Sequence, residues 1–329
     1  MFEDLDNSSI KSLTIVKVNV WLRESNPDAY IPKMVSIGPY HKINPQLCPV
    51  EKYKILYLRR FLQRNESLDL KSCINEPQKL KEEALKCYDD IEDLNIDRQF
   101  CQMLLLDGCF VVEFIRKRCQ MCLEGEDEII NINVMVSASF RETECNVGNI
   151  KHLLHLVHIF SCHGNHVKLK YGIMFHKAVP NATKHSEARV SFAKVRNIRN
   201  DKSLFDIKFE NGLMTIPCIR VEDDSETFLH NLIAYEQQSS DVQPKYFSDY
   251  VTFMDYLIDL AKYVNLLRRI RITVNWMGED KYVATLFNKI TYGVTTYSNF
   301  YYYEECLKAC QHCEKSQNYT DYSSFDRSG

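Results

Sequence analysis

The sequence predicts a mainly α-helical protein with a small antiparallel β-sheet around residues 188–221. Apolar residues recur at three- and four-residue intervals over most of the chain, alternation with a period of two is confined to that one region, and glycine and proline are scarce, at 10 and 9 residues. Because no internal repeat or proline-rich linker divides the chain, we expect a single helical domain at residues 30–315, between a variable leader, 1–29, and a polar tail, 316–329.

Three helices are predicted in the first part of the chain, after a turn-rich segment around Gly38-Pro39. Apolar residues recur at helical spacing between lysines and arginines from Val50 to Gln63. A second helix is expected to follow Pro77, because proline fits the first turn of a helix. The third should cover Arg98–Arg118, whose broad apolar surface is typical of the centre of a bundle.

The middle of the chain combines a weak pattern with a clear one. An acidic patch precedes the β-prone stretch Ile129–Val136, for which the sequence indicates no partner strand. A helix is expected to begin at Asn149, because apolar residues then recur at helical spacing. Its apolar face consists of Leu153, Leu156, Val157 and Phe160.

Histidines follow this helix at three-residue intervals, at His152, His155 and His158. Such a stripe resembles a metal site, but on a helical wheel these residues fall opposite the apolar face. We therefore expect a solvent-exposed face. His163 and His166 add weak, adventitious metal affinity rather than a designed site.

The apolar period switches towards two after Val190. Residues 205–209 alternate apolar and polar side chains, Asn211-Gly212 predicts a tight turn, and Leu213–Ile216 supplies the returning strand. The acidic run at residues 222–226 then favours a helix N-terminus. Three further helices are expected at Ser248–Lys262, Glu279–Tyr292 and Tyr297–Glu314.

Composition and charge exclude several classes of protein. The net charge of −3 gives no basic excess for neutralising phosphates, so we expect no nucleic-acid partner and interpret Arg268–Arg271 as a solvated helix face. The 13 cysteines show no pairing pattern, and no signal peptide is recognised, so we expect free, mostly buried thiols in a reducing compartment. No apolar stretch reaches the roughly 18 residues that cross a bilayer, which indicates a cytoplasmic or peripheral protein.

The spacing of Cys306, Cys310 and Cys313 matches a three-cysteine iron–sulfur motif, but these residues lie on a predicted helix near the end of the chain. At this spacing all three sulfurs share one helix face, as buried small apolar residues do. With Cys119 and Cys122 they could supply the ligands of a zinc site. We interpret them as core atoms and expect neither a metal nor a cofactor.

Cys109 with His41 is the sharpest enzymatic hypothesis, because a thiolate needs a nearby base or cation to be reactive. Cys109 falls in an apolar helix, however, where burial would raise its pKa. Asp107-Gly108, just before it, indicates a close contact between this helix and another backbone. The sequence has no phosphate-binding glycine loop, zinc-protease helix or Gly-x-Ser-x-Gly elbow, so we expect no catalytic residues.

Several short phrases follow one another between Tyr30 and Cys313. They include Ile37–His41, Met103–Phe110, Asn231–Gln237, Val274–Gly278 and Val283–Asn288. Together they resemble a family of plant proteins, domain of unknown function 247, also called uncharacterised protein family 0481. The resemblance implies a cytosolic or membrane-associated globular part, usually with one C-terminal membrane-spanning helix, and a role for some grass members in self-incompatibility of pollen and stigma. It implies no catalytic residue.

The chain departs from the family pattern in three places. Polar residues 319–329 stand where the membrane anchor would follow. The apolar helical stretch that is usual between Arg118 and Ile150 is missing or replaced, and His185 and Arg189 stand where an apolar residue and a glycine are usual. We therefore expect a shortened member, destabilised where loss of a core helix exposes the faces that it covered.

These observations favour a non-enzymatic interaction or recognition protein that binds an unknown protein partner through its variable surface loops. One alternative is an enzyme of unrecognised type with a pocket between the Ile37–His41 loop and the Leu106–Cys109 helix segment. Another is a degenerate, non-functional family member, which a large exposed apolar groove around residues 125–148 would indicate.

Overall fold

The computed structural model describes residues 15–65, 67–89, 97–121, 150–162, 190–195, 203–258, 260–295 and 300–325. Among these, two compact units are distinguished: residues 15–18, 31–121 and 150–153 belong to the first unit, and residues 19–30 and those from 154 onward belong to the second. The stretches around residues 125–148 and 163–189, including His163, His166, His185 and Arg189, lie outside the described residues.

Helices dominate both units, which confirms the mainly α class. The elements in chain order are α1 Val20–Glu24, a 3₁₀ turn Pro27–Tyr30, α2 Cys48–Arg64, α3 Leu70–Lys86, α4 Asp97–Met121, α5 Leu153–Cys162, β1 Ser191–Lys194, β2 Lys208–Glu210, β3 Leu213–Ile216, β4 Ile219–Val221, α6 Ser225–Gln238, α7 Tyr246–Leu257, α8 Ala261–Arg269, β5 Thr273–Asn275, α9 Asp280–Ile290 and α10 Tyr303–Phe325.

The first unit packs α2 and α3 against α4. The bounds of α2 and α4 confirm the two predicted helices to within a few residues, because both have strong apolar periodicity. Phe100 and Met103 of α4 are buried, and the ring of Phe110 meets that of Tyr57 in α2 edge-on, with centroids 4.9 Å apart. Aromatic side chains in this arrangement supply much of the packing between the two helices.

The start of α3 corrects the sequence prediction. The helix does not follow Pro77 but begins at Leu70, so Pro77 lies inside it. The carboxylate of Asp69 accepts a hydrogen bond from the backbone N–H of Ser72 at 2.7 Å. This N-cap fixes the helix start. The helix continues through Pro77, where a single internal hydrogen bond is missing because proline has no backbone N–H.

The second unit has an aromatic core around α6, α7 and α9. Its fully buried rings include those of Phe205, Phe247, Tyr250, Phe253, Phe287, Phe300 and Tyr302. The rings of Phe205 and Phe247 lie edge to face, with centroids 4.9 Å apart. Since each aromatic side chain buries a large apolar area, this core accounts for much of the stability of the unit.

Residues 19–30 dock on α6 by hydrogen bonds between distant parts of the chain. The side-chain amide of Asn231 donates to the carbonyl of Ala29 at 2.9 Å. The hydroxyl of Tyr30 lies 3.2 Å from Nδ1 of His230. Burial raises the pKa of Tyr30 to about 12 and lowers the pKa of His230, so both groups are neutral at pH 7.

Strands form two small sheets, one of order β1-β3-β2 and one of β4 with β5. The predicted hairpin is confirmed: β2 and β3 pair antiparallel around Asn211 and Gly212, whose positive φ angles of 51° and 79° suit a tight turn. The structure differs in strand direction, because β1 pairs parallel with β3 and β4 pairs parallel with β5. Alternation shows which face of a strand is buried and carries no information on the direction of its neighbour.

The C-terminal helices are one more than predicted. The expected helix Ser248–Lys262 is split into α7 and α8, because the backbone at Leu260 is extended, with φ −138° and ψ 154°. Apolar spacing continues across this break and hides it. The last two predicted helices are present, as α9 and as α10, which continues to Phe325, beyond the predicted end at Glu314. The single domain at residues 30–315 stays a prediction.

Candidate functional site

The loop that contains Gly38 meets α4 through one buried carboxylate, that of Asp107. Its Oδ2 accepts the backbone N–H of Gly38 at 2.9 Å, and its Oδ1 accepts the ammonium of Lys54, in α2, at 2.5 Å. The same ammonium donates to the carbonyl of Ser36 at 2.5 Å and pairs with Glu51. We call this the Asp107 network. It ties the loop, α2 and α4 together.

Two glycines take different parts in this contact. Gly38 has a φ of 80°, and a Cβ there would lie 3.1 Å from the hydroxyl of Tyr88, so glycine is required for both conformation and space. The expected close approach of a backbone to Gly108 is wrong, because a Cβ at this exposed position would meet nothing within 4 Å. The contact that the sequence indicated is made by the neighbouring Asp107 side chain instead.

The electrostatics of the Asp107 network are those of a structural ion pair. Burial raises the pKa of Asp107, while the hydrogen bonds from Lys54 and Gly38 oppose this rise. The Lys54 side chain is 1% exposed. A carboxylate with a neighbouring ammonium and a backbone donor already has its lone pairs directed at fixed partners, so it holds the loop rather than a diffusing substrate.

The surroundings of the Cys109 thiol, the candidate nucleophile, are unfavourable for catalysis. Cys109 is 6% exposed, and burial, followed by the neighbouring Cys73, raises its pKa to about 11. At pH 7 the thiol is therefore protonated and weakly nucleophilic. His41 lies half-buried in the loop, and two hydrogen bonds that link this part of the chain to α4 are those of Gly38 with Asp107 and of Lys42 with the carbonyl of Gln99.

A second buried carboxylate, Glu236, organises the second unit. It lies in α6 and is fully buried. Its Oε1 accepts the backbone N–H of Phe247 at 3.0 Å, and its Oε2 accepts both the N–H and the hydroxyl of Ser248 at 2.8 Å. These N–H groups belong to the first turn of α7, whose N-cap residue, Lys245, provides no capping hydrogen bond from its side chain. Glu236 therefore caps α7 from another helix.

His158 completes this arrangement, which we call the Glu236 network. Its Nε2 lies 2.8 Å from Oε1 of Glu236, and its side chain is buried. The expectation that the histidine stripe is a solvent-exposed face is wrong for His158, because a buried carboxylate supplies the partner that the imidazole needs. His155 is half-buried and lies against Tyr235, with ring centroids 5.7 Å apart.

Cys162 places a thiol near this histidine and carboxylate, but not in the order of a catalytic triad. Its Sγ lies 3.6 Å from Nε2 of His158 and 4.0 Å from Nδ1. Nε2 is also the atom that contacts Glu236, whereas a triad needs the nucleophile and the carboxylate on opposite ring nitrogens. Burial, with the charge of Glu236 adding to it, raises the pKa of Cys162 well above its usual range.

Gln237 and Asn231, the neighbouring polar residues of the same phrase, also hold backbone. The amide of Gln237 donates to the Ser248 hydroxyl at 3.0 Å, and its carbonyl accepts the N–H and hydroxyl of Thr295 at 3.1 and 2.7 Å. In the sequence, the stretch Asn231–Gln237 indicated only the family resemblance. Its run of polar residues inside an otherwise apolar helix is the one sequence signal of these contacts, and it does not identify the residues that they bind.

Asp249, also in the first turn of α7, has a strongly raised pKa. It is buried, and its Oδ2 accepts the backbone N–H of Tyr301 at 2.8 Å. Burial raises its pKa to about 7, and the charge of Glu236 adds to this rise, while the Tyr301 hydrogen bond and Lys245 oppose it. Lys245 itself donates to the backbone carbonyl of Glu236.

The cysteine candidates are placed as packing residues where the structure describes them. Cys306 and Cys313 are buried, Cys310 is half-buried, and none of the three forms a disulfide with a described cysteine. The side chain of Cys119 and all of Cys122 lie outside the described residues. Among the residues that the structure describes, no group of three or more histidine, cysteine, aspartate or glutamate side chains could hold a metal ion. No helix in this part of the chain combines the length and the apolar character that spanning a membrane requires.

Comparison with known proteins agrees with the family resemblance. A family model described as DUF247, plant protein of unknown function, matches residues 15–143 and 130–326. One UPF0481 protein of Arabidopsis thaliana is 23% identical over 356 aligned positions, covering 87% of this chain and 74% of the relative. Another is 28% identical over 115 residues, covering 34% of this chain, and the chain thus matches only 22% of that relative's length. No solved structure matches the chain.

Proposed function

Because the chain belongs to the plant protein family of unknown function DUF247, we propose that it is a non-enzymatic interaction or recognition protein. The observation that carries the proposal is an exposed aromatic surface on the second unit. Trp21 of α1 is 66% exposed, and Tyr292, just after α9, is 54% exposed. The Tyr292 hydroxyl donates to Glu24 of α1 at 3.4 Å, so the two elements are neighbours.

We define the α1–α9 patch as Val20, Trp21 and Tyr292, all three of which are exposed. Tryptophan and tyrosine are enriched at the centres of protein–protein interfaces, where each supplies a large apolar area at a small cost in conformational entropy. A protein partner with a matching apolar depression is the occupant that this chemistry favours.

The buried polar groups support the same proposal from the other direction. Asp107 and Glu236 have their oxygens directed at backbone N–H groups and at neighbouring side chains, and the Cys109 thiol has a raised pKa. Groups held in this way stabilise a scaffold. The variable role of such a scaffold then lies on its surface.

The proposal also covers a biological role and a cellular location. Recognition between cells, of the kind that the family resemblance implies for pollen and stigma in grasses, is the role we propose. A cytoplasmic or membrane-peripheral location accompanies it. Nucleic acid is not among the proposed partners, because the chain carries a net charge of −3.

Affinity capture with a matched pair of variants tests the proposal. The full chain and a Trp21→Ala, Tyr292→Ala variant are used as baits in plant extract, and a protein captured by the first is purified and its binding to both is measured. We expect at least about tenfold weaker binding by the variant, because central aromatic residues carry most of the energy of an interface. Equal binding of every captured protein to both baits would overturn the role of the α1–α9 patch.

The enzymatic alternative makes a different prediction for the same preparation. If Cys109 were an activated nucleophile, iodoacetamide would modify it faster than the exposed Cys48. We expect Cys109 to react more slowly, with a rate that rises about tenfold per pH unit between about pH 7 and 10. The degenerate alternative predicts a broad, non-cooperative unfolding transition instead of a sharp one.

A further inference from the structure

The face of α2 that points away from α4 combines cations with exposed apolar side chains. Lys54, on the opposite side of the helix, is buried in the Asp107 network. Residues that fall on the outward arc of the helical wheel are exposed without interruption. They are Lys52, Tyr53, Ile55, Leu56, Arg59, Arg60 and Gln63. We call them the α2 outer face.

The charge of this face has a single sign. Lys52, Arg59 and Arg60 supply three cations, and no acidic residue lies on the arc. Glu51, at its edge, pairs with the buried Lys54. Within the part of the chain that the structure describes, Lys52 and Arg59 form no ion pair, so their charges are available to a partner.

The apolar part of the face is as exposed as the cationic part. Tyr53 is 58% exposed, Ile55 45% and Leu56 43%. Three apolar side chains on one 17-residue helix, between three cations, exceed the scattered exposure that a solvated helix normally shows. The long arms of lysine and arginine let their charges stand above a surface into which the apolar side chains insert.

We propose that the α2 outer face binds the surface of a bilayer that contains anionic phospholipid. The cations meet the headgroup phosphates and carboxylates, while Ile55, Leu56 and the ring of Tyr53 enter the boundary between headgroups and acyl chains. The helix, about 25 Å long, lies in the plane of the membrane. The inference rests on the peripheral location proposed above and adds the surface and the lipid chemistry.

Lipid fits the face better than nucleic acid does. A nucleic-acid surface would satisfy the three cations, but it offers no apolar medium to Ile55 and Leu56, and single-stranded binding favours stacked aromatic rings over aliphatic side chains. An acidic protein with an apolar groove would also take both parts of the face, and binding to such a protein without any vesicle binding is an outcome that would overturn the proposal. The bilayer interface takes both parts along the whole length of the helix.

Co-sedimentation of the full chain with vesicles tests this proposal. One vesicle is phosphatidylcholine alone, and the other contains about one third phosphatidylserine. We expect binding to the anionic vesicles only, and a fall in binding as the salt concentration is raised from about 0.1 to 0.5 M, because screening weakens surface electrostatics. Absence of binding to anionic vesicles at low salt would overturn the proposal and leave partner capture by the α1–α9 patch unaffected.

Two variants and one control locate the binding surface. Arg59→Glu with Arg60→Glu should reduce vesicle binding at least about tenfold, because each basic residue near an anionic surface makes a substantial contribution. Ile55→Ser with Leu56→Ser should also weaken binding while keeping its salt dependence. Lys281→Glu with Lys289→Glu, the same charge change at exposed positions of α9, should leave binding within about twofold.

Folding and nucleic-acid binding are read in the same samples. All substituted side chains are exposed, so circular dichroism and the melting temperature should not change. Equal vesicle binding by the Arg59, Arg60 variant and the control would overturn the proposal. So would binding of a single-stranded oligonucleotide that this variant loses while the vesicles stay unbound, since the face would then be a nucleic-acid site.

Discussion

The two units are each held by a buried carboxylate, but the partners of the two carboxylates differ. In the first unit Asp107 faces a cation, the ammonium of Lys54, and one backbone N–H. In the second unit Glu236 is fully buried among dipoles: two backbone N–H groups at the start of α7, a hydroxyl and an imidazole. One unit uses a charge pair, and the other uses a helix cap that comes from elsewhere in the chain.

The difference in partners decides which of the two buried carboxylates can be replaced by apolar side chains. A buried ion pair consists of two side chains, so an apolar pair of similar volume can take its place with little loss. Asp107 accepts one backbone N–H, that of Gly38, whereas Glu236 accepts two, both at the start of α7, and no substitution removes these groups. Without the carboxylate, the first turn of α7 would keep its N–H groups away from water and without acceptors. The comparison therefore predicts that the first network is replaceable and the second is not.

Glu236→Leu should have the largest effect. We expect the free energy of unfolding of the second unit to fall by about 3–5 kcal/mol, because a buried charge-assisted network loses its centre. Both tryptophans of the chain, Trp21 and Trp276, belong to this unit, so their fluorescence in a urea titration reports on it alone. Adding His158→Leu should not restore stability, since the N–H groups of α7 stay unpaired.

Recovery of stability in that double variant would show that the histidine contact, and not the cap of α7, makes Glu236 necessary. Ser161→Ala, a buried hydroxyl in α5 close to His158 in sequence, serves as the control for a general effect of changing this helix. It should change the fluorescence midpoint much less.

Lys54→Met should have the next largest effect, and a second substitution should compensate for most of it. Alone, it leaves Asp107 buried without its cation, and we expect a loss of about 2–3 kcal/mol in the first unit. Lys54→Met with Asp107→Leu should recover most of this, because no charge is then left buried, although the N–H of Gly38 and the carbonyl of Ser36 each lose one partner. The rate of alkylation of the buried Cys109 thiol in urea measures opening of the first unit.

If the double variant opened as readily as the single one, the Asp107 network would be no more replaceable than that of Glu236. The distinction drawn between the two units would then fail. A control with Glu51→Gln keeps both buried charges and should alkylate at nearly the rate of the unaltered chain, because the Glu51 side chain is 30% exposed.

Asp249 is a third buried carboxyl group, and its contribution to stability is expected to depend on pH. Among the described residues it forms no ion pair like that of Asp107 with Lys54, although the charge of Lys245 acts on it, and burial raises its pKa to about 7. A carboxyl group whose pKa is raised on folding binds more protons in the folded than in the unfolded state between about pH 4 and 7, so its contribution to stability falls as the pH rises through this range. Above pH 7 the full cost is present.

Asp249→Asn should remove this cost. The amide oxygen can still accept the N–H of Tyr301, and the residue no longer ionises. We expect the variant to be more stable than the unaltered chain by about 2 kcal/mol at pH 8, with the difference vanishing near pH 4. Tryptophan fluorescence in urea at a series of pH values measures it. A difference that does not change between pH 4 and 8 would show that folding does not raise the pKa of Asp249.

Local pattern predicted much of the fold, and its failures have a common cause. The helices α2, α4 and α9 and the β2–β3 hairpin follow from apolar periodicity and turn chemistry, which act between near neighbours in sequence. The start of α3 was decided by the cap at Asp69, and the break before α8 by an extended Leu260, features that leave the apolar period unchanged. Strand direction in β1 depends on a partner distant in sequence.

The candidate sites were harder to predict for the same reason. Cys109 was expected to be buried and unreactive, and its raised pKa agrees with this. His158 was expected to face solvent, because it lies opposite the apolar face on the helical wheel. The helical wheel could not reveal its partner, a carboxylate on another helix. Glu236 was not singled out at all. A residue whose partners lie on other elements has no local signature, so only the folded chain shows that its charge is a cap.

The smallest expected effects concern the outermost partner of each network. Ser248→Ala removes one hydroxyl donor from Glu236, which keeps both backbone N–H groups, so we expect a loss of about 1 kcal/mol in the tryptophan-detected unfolding of the second unit. Removing Glu51 from Lys54 by Glu51→Gln should cost less than about 0.5 kcal/mol, since that pair is partly in water. If the Ser248 variant lost as much stability as the Glu236 variant, the hydroxyl and not the cap would carry the network. If neither substitution changed the stability, each network would depend on its central contacts alone. These are an ion pair in the first unit and a pair of backbone N–H groups in the second.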